Sequence, residues 1–238
     1  MLALFFILMG TALLLLLLGW AVRKGAYWLI SGFAFRPKEE QEQLIENGLP
    51  QKAGTLLMAT GAGMILLLPL LFTPFPYAIE VAISFMLIFL LGGIIYLSRF
   101  EIPAKRKRAY FITSGIALFT FASIAVLMYF GYKEAELIFK KDGFEITGMY
   151  GEEIPYGDIR KVELLDKMPK ATVKVDGFGM ATIAKGKFKL EGYGTSLLFI
   201  RKGIPPYLHI ETNNGHLFIN SPDPQITRSW KNKLAEWE

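Results

Sequence analysis

The chain contains no cysteine, and this absence rules out disulfide bonds, thiol catalysis and cysteine metal sites. No serine, histidine and acidic residue are grouped in a pattern typical of nucleophilic catalysis. Gly177-Phe178-Gly179 lacks the third glycine of a dinucleotide-binding fingerprint and does not open a helix. We therefore expect a protein that is not an enzyme and that binds no cofactor.

Histidine is also scarce, with only two residues in the chain. His209 and His216 fall on the two arms of one predicted hairpin and could be cross-strand neighbours. Glu211 is the nearby carboxylate, on the same strand face as His209. Two imidazoles without a third ligand make a poor metal site, so we expect no metal ion here.

Charge is almost missing from four apolar stretches in the first 132 residues. A helix rises about 1.5 Å per residue and the hydrocarbon core is about 30 Å thick, so about 20 apolar residues cross it. Glu80 is the only charged residue in these stretches, and it lies near an interface that can accommodate a carboxylate. The sequence predicts an integral membrane protein with four transmembrane helices, spanning about residues 2–22, 53–73, 77–97 and 110–130.

Basic residues flank these stretches unevenly. Residues 1–132 hold ten Lys or Arg against six acidic residues, whereas residues 133–238 hold sixteen against fifteen. All ten lie in or beside the first and third loops, so we expect these loops in the cytoplasm and both termini outside. The topology anchors are Arg23, Lys24, Lys105, Arg106, Lys107 and Arg108. The basic excess therefore orients the protein and does not indicate a nucleic-acid partner. Failure of the second span, which contains Pro69, would reverse the placement of the tail.

The first apolar stretch favours an uncleaved anchor over a signal peptide. No Lys or Arg precedes it, its core is about 20 residues long, and Arg23 and Lys24 follow it directly. Within the spans, Gly61 and Gly63 and the pair Gly92-Gly93 are the candidates for close helix crossings.

From Lys133 onward, short strands separated by turns replace the long apolar blocks. Asp142-Gly143 and Asn213-Asn214-Gly215 are typical of hairpin turns. Asp223 and Pro224 then predict a helix start, with Ile226, Trp230, Leu234 and Trp237 expected on one face. The pattern predicts about seven antiparallel strands in a small barrel closed by an amphipathic helix. The chain thus divides into a membrane domain, 1–132, and a soluble domain, 133–238.

A family resemblance supports this outline. The segment Phe144–Leu234 resembles the bacterial pleckstrin-homology-like (PH-like) domains. The resemblance is carried by Glu145-Ile146-Thr147-Gly148, Ile154-Pro155-Tyr156-Gly157-Asp158-Ile159, Lys185-Gly186-Lys187-Phe188, Gly192-Tyr193-Gly194 and the run from Leu217 into the helix. The N-terminal half, especially Gly25–Gly54, is similar to a small membrane domain family of unknown function from low-GC Gram-positive bacteria. Both resemblances imply a fold, and neither implies a catalytic set.

Lys185, Lys187 and Lys189 repeat with strand period two, so their side chains are expected on one face. This face could contact anionic headgroups or wall polymers, or it could be the solvated outside of a strand. We expect a non-enzymatic membrane protein whose PH-like tail is a binding or assembly module at the cell envelope. Its expected partners are the lipid bilayer and either a second copy or another membrane protein. A channel-like or transporter-accessory protein regulated by its tail is the alternative.

Overall fold

The computed structural model describes residues 2–237, which form six α-helices and nine β-strands. The first five helices precede the strands, and the sixth follows the last strand. The helices are α1 (Leu2–Arg23), α2 (Lys38–Glu46), α3 (Leu49–Leu67), α4 (Ala78–Leu97), α5 (Pro103–Tyr132) and α6 (Pro224–Leu234). The chain separates into two compact units at Ser123, within α5.

Four helical segments are long and apolar enough to cross a membrane. They are Leu2–Arg23, Leu49–Phe72, Ala78–Phe100 and Pro103–Tyr132. The second includes Pro69, which falls where α3 tightens into a 3₁₀ turn over Leu68–Phe72 and so loses no α-helical hydrogen bond in mid-helix. The expected class of a four-helix transmembrane domain followed by a mainly-β domain is confirmed.

The first and third helices of the membrane domain cross at glycines. A Cβ added at Gly19 would lie 2.6 Å from the carbonyl oxygen of Gly54, and one added at Gly61 would lie 2.6 Å from that of Ala12. Such small residues let helix backbones approach closely where no hydrophobic effect drives association. Gly61 was expected at a crossing from the sequence; Gly19 and Gly54 were not.

The other glycines expected at crossings divide between packed and open positions. A Cβ at Gly63 would meet the ring of Phe85, and one at Gly93 would meet the side chain of Leu56. Gly92 has nothing within 4 Å of such a Cβ. α3 therefore packs closely against α1 through Gly61 and against α4 through Gly63, whereas only Gly93 of the adjacent pair in α4 is at a crossing.

The tail forms two sheets. Their nine strands are β1 (Leu137–Phe139), β2 (Gly143–Ile146), β3 (Glu153–Pro155), β4 (Ile159–Leu165), β5 (Ala171–Gly179), β6 (Ile183–Leu190), β7 (Gly194–Arg201), β8 (Tyr207–Thr212) and β9 (Gly215–Ile219). The small sheet has the order β1-β2-β3, and the large sheet has the order β4-β8-β9-β7-β6-β5. The pairing of β7 with β9 is parallel. The expectation of antiparallel strands throughout is therefore wrong at this one pair, because β8 and β9 fold back as a hairpin onto β7.

Each face of the large sheet has its own buried cluster. One cluster includes Phe144, Ile210, Ile219 and Trp230, and joins the large sheet to the small sheet and to α6. The other cluster lies on the opposite face of the large sheet and includes Phe188, Leu198 and Phe218. Alternate residues along a strand point to opposite faces, which explains why neighbours in sequence enter different clusters.

The last helix begins as the sequence indicated. The Asp223 side chain accepts a hydrogen bond from the Gln225 backbone N–H at 2.8 Å, and Pro224 occupies the first helical position. Trp230 and Leu234 are buried, but Ile226 and Trp237 are 43% and 50% exposed. Thr227 takes the remaining buried position. The expected apolar face is thus only half correct.

Replacing Gly61 by alanine should force α1 and α3 apart at their crossing. We expect the free energy of unfolding to fall by about 1–3 kcal/mol, the usual cost of overpacking. Gly92→Ala is the matched control, because a Cβ there meets nothing within 4 Å. Denaturation of the purified chain in detergent would measure both variants, and equal stabilities would contradict the close crossing.

Candidate functional site

The strand pair β5–β6 carries the three lysines that the sequence singled out. Lys187 and Lys189 are exposed. Lys185 is only 2% exposed, and its ammonium donates a hydrogen bond to the carbonyl oxygen of Lys133. The expectation that all three lysines share one exposed face is therefore wrong for Lys185. Residues directly after α5 cover this end of the strand, which no spacing along the sequence reveals.

Two cationic side chains of the large sheet bind carbonyl groups at the end of α5. Lys185 reaches Lys133, while Arg201 donates to the Tyr132 carbonyl at 3.2 Å and to the Glu134 carboxylate at 3.4 Å. The last carbonyl groups of a helix have no partner within the helix and carry its negative dipole end. Burial lowers the pKa of Lys185 to about 8, and the charge of Arg201 lowers it as well.

The end of this strand pair that is farther from Lys185 forms an exposed surface. We call it the basic hairpin and define it as residues 171–176 and 187–189. Every residue from 171 to 176 is exposed, with Val173 and Val175 at 55% and 57%. On the neighbouring strand, Lys189 lies opposite Val173 and Lys187 lies opposite Asp176. Lys174 lies opposite Phe188 and so points to the other face of the sheet. The surface therefore combines exposed apolar side chains with positive charge.

The free edge of β5 is poorly suited to accepting another strand. This strand ends the large sheet, and its pairing with β6 shifts register between Ala171 and Val173 and again between Lys174 and Asp176. Bulges and edge lysines are the devices by which proteins prevent edge-to-edge pairing. Any partner of the basic hairpin is thus bound by its side chains.

The basic hairpin starts close to the end of the last membrane helix. The ring of Phe178 in β5 packs against that of Tyr132, the last residue of α5, with centroids 5.8 Å apart. A strand rises about 3.3 Å per residue, so Lys187 lies about 7 Å and Lys189 about 13 Å along β6 from Lys185. Both charges are therefore within about one or two Debye lengths of the helix end.

The two histidines are in contact, as the hairpin pattern suggested. His209 Nε2 and His216 Nδ1 are 3.0 Å apart, and His209 Nδ1 is 2.9 Å from Glu163 Oε1. Burial lowers the pKa of His209, although Glu163 opposes this shift. The acid in this chain of contacts comes from β4, and is not Glu211. The groups form a line, and residues 2–237 contain no set of three that could hold a metal ion.

Ion pairs join the first and third loops at one end of the membrane helices. Arg36 makes a bidentate pair with Glu101, with both N–O distances at 2.7 Å. Lys105 pairs with Glu40 at 2.5 Å. These pairs lower the pKa of Glu40 mainly through the hydrogen bond from Lys105, and raise the pKa of Arg36 through Glu101. The two loops that hold most of the basic residues thus lie together.

The expected topology anchors lie at helix ends on this side. Arg23 is the last residue of α1 and Lys24 follows it, while Lys105–Arg108 occupy the first turns of α5. Arg106 also donates to the Glu101 carbonyl at 3.3 Å. Glu80 lies in the first turn of α4, at the opposite end of that helix from these loops.

The architecture defines a multi-pass membrane protein with a mostly-β tail, and comparison with protein families agrees. Residues 1–101 match the model described as a domain of unknown function (DUF3784), and residues 135–228 match the model of a bacterial PH domain. The chain therefore joins a DUF3784 membrane domain to a bacterial PH domain, which confirms both resemblances. Comparison with curated proteins and with solved structures gave no match.

Replacing Lys185 by methionine should remove a pH dependence of stability. The pKa of Lys185 falls from an ordinary 10.5 to about 8, so between these values the unfolded chain binds a proton that the folded chain has released. The stability of the original chain should therefore rise with pH in this window, and that of Lys185→Met should not. Lys187→Met, at an exposed position, is the control and should keep the rise. Denaturant titrations at neutral and alkaline pH would measure it; identical profiles for all three proteins would contradict the buried ammonium.

Proposed function

We propose that this chain is a non-enzymatic, membrane-anchored binding protein whose bacterial PH domain contacts anionic lipid headgroups through the basic hairpin. The observation that supports this proposal is the combination of the exposed Val173 and Val175 with Lys187 and Lys189 at one end of the large sheet. The PH domain follows the last membrane helix directly in the chain, so headgroups are present at high effective concentration.

The apolar component favours a lipid surface over a wall polymer. Valine side chains that are more than half exposed gain little from a hydrated polymer, but they can enter the headgroup region of a bilayer. Each lysine near an anionic surface contributes about 1 kcal/mol of attraction, and this attraction decreases with salt. Asp176 lies opposite Lys187 across the two strands and weakens the field without cancelling it.

The tail is proposed to lie outside the cytoplasm. Loops one and three hold or flank all ten basic residues of the first 132, and the pairs Arg36–Glu101 and Lys105–Glu40 support their placement on one side. Basic residues in short loops are retained in the cytoplasm, so four crossings leave both termini outside. The hairpin would then meet the outer leaflet.

The absence of native cysteine allows a direct test of sidedness. A single Asn232→Cys substitution should react with a membrane-impermeant maleimide on intact cells, because the residue is exposed, lies outside the proposed headgroup contact, and the tail is proposed to be outside. Lys105→Cys, in the third loop, should react only after the membrane is opened. The reverse pattern would place the tail in the cytoplasm and show that one span is miscounted.

A Val175→Cys protein tests the headgroup contact. Labelled with a polarity-sensitive fluorophore and reconstituted into liposomes, it should emit at shorter wavelength when phosphatidylglycerol is added to phosphatidylcholine. Charge reversal by Lys187→Glu and Lys189→Glu should abolish the shift, since about 1 kcal/mol per lysine is replaced by repulsion. A label at Asn232, exposed on α6, is the control and should not respond. A shift that survives charge reversal, or none at all, would overturn the proposal.

The channel-like or transporter-accessory alternative depends on Glu80, the one ionisable residue that the sequence places inside a span. It remains a prediction. A loss of ion or solute flux in Glu80→Gln would favour it over the binding role.

A further inference from the structure

The membrane domain contains a cavity of about 550 Å³ among α1, α3, α4, α5 and the first loop. This volume lies within the range of about 300–1,000 Å³ that is typical of small-molecule sites. Most of its wall is apolar and belongs to the spans, including Leu18, Leu57, Leu90 and Ile94. A space of this size at that depth would be filled by hydrocarbon, because an empty one forfeits dispersion contacts along its whole lining.

Polar groups are confined to the end of the cavity nearest the first and third loops. Arg36 and Glu101 line that end and bind each other, and the hydroxyl groups of Ser98 and Thr113 lie 3.1 Å apart beside them. The cavity therefore changes from charged to apolar along the direction in which a bilayer changes from headgroups to acyl chains.

The charged end has an excess of positive charge. Arg36 pairs with the carboxylates of Glu40 and Glu101, and Lys105 pairs with that of Glu40. Arg106 donates to the backbone carbonyl of Glu101. Arg36 and Glu101 line the cavity, and the other three residues lie next to this pair. The Arg106 Nε–H is buried and has no hydrogen-bond acceptor among the described residues. A phosphate group would supply an acceptor and balance this charge, since arginine is well suited to phosphate binding.

We propose that the cavity binds one acyl chain of a membrane phospholipid, with the phosphate of that lipid at Arg36, Lys105 and Arg106. The apolar wall, the position of the charges and the unfilled arginine donor all match a molecule with an anionic head and a long hydrocarbon tail. This site lies among the membrane helices, in residues 18–113, so it is independent of the headgroup contact proposed for the basic hairpin.

Filling the cavity should release the lipid. Ala109 lines it from α5, and Ala109→Phe should reduce the phospholipid that remains on the detergent-purified full chain by at least about tenfold. Ala122→Phe, at an exposed position on the same helix and outside the cavity, should retain as much as the original chain. Bound lipid would be measured by mass spectrometry of organic extracts, normalised to protein.

Two further arms keep the test decisive. Ala53→Leu fills the cavity from α3, so it replaces Ala109→Phe if that variant fails to elute as a monodisperse protein. Arg106→Gln should weaken phospholipid retention without changing the size of the apolar part. Equal retention in all variants would show that the lipid binds elsewhere, and recovery of free fatty acid or detergent in place of phospholipid would overturn the proposed phosphate contact.

Discussion

The last carbonyl groups of α5 have no partner within the helix, and the side chains that bind them determine how the large sheet packs against the helix end. Lys185 and Arg201 come from adjacent strands of the large sheet and bind the carbonyl groups of Lys133 and Tyr132. A buried ammonium is costly unless it is hydrogen-bonded, so this contact fixes the sheet to the helix end in one arrangement. Because Lys187 and Lys189 follow Lys185 in β6, this contact also determines their positions.

At the opposite end of the spans, charged side chains are stabilised by pairing with one another. Arg36, Glu40, Glu101 and Lys105 are charged side chains beside apolar helices, and each has an opposite charge within hydrogen-bonding distance or nearly so. The bidentate Arg36–Glu101 pair is more directional than a pair with a single contact. It connects two loops that are distant in sequence.

Much of the fold could be predicted from the sequence, because its determinants are local. Apolar length set the four spans, Asp142-Gly143 and Asn213-Asn214-Gly215 set hairpins, and Asp223 set the start of α6. The predictions from sequence fail where burial or strand pairing depends on an element that is distant in sequence. Ile226 has the right spacing for the buried face of α6, but Thr227 is buried instead and its hydroxyl accepts a hydrogen bond from the Ser221 N–H; Trp237 lies beyond the end of the helix at Leu234. The sequence predicts about seven strands and the structure has nine; the three-residue strand β3 is defined by its pairing with β2.

The candidate sites show the same division. By itself, the sequence determined membrane insertion, the separation into two domains, the basic side of the spans and the contact of the two histidines, since each follows from composition, charge or a turn. Only the tertiary structure decided that Lys185 is buried while Lys187 is exposed, that Glu163 rather than Glu211 meets His209, and that Arg36 meets Glu101. These outcomes depend on which strand or helix packs beside a residue, and that choice is a property of the whole fold.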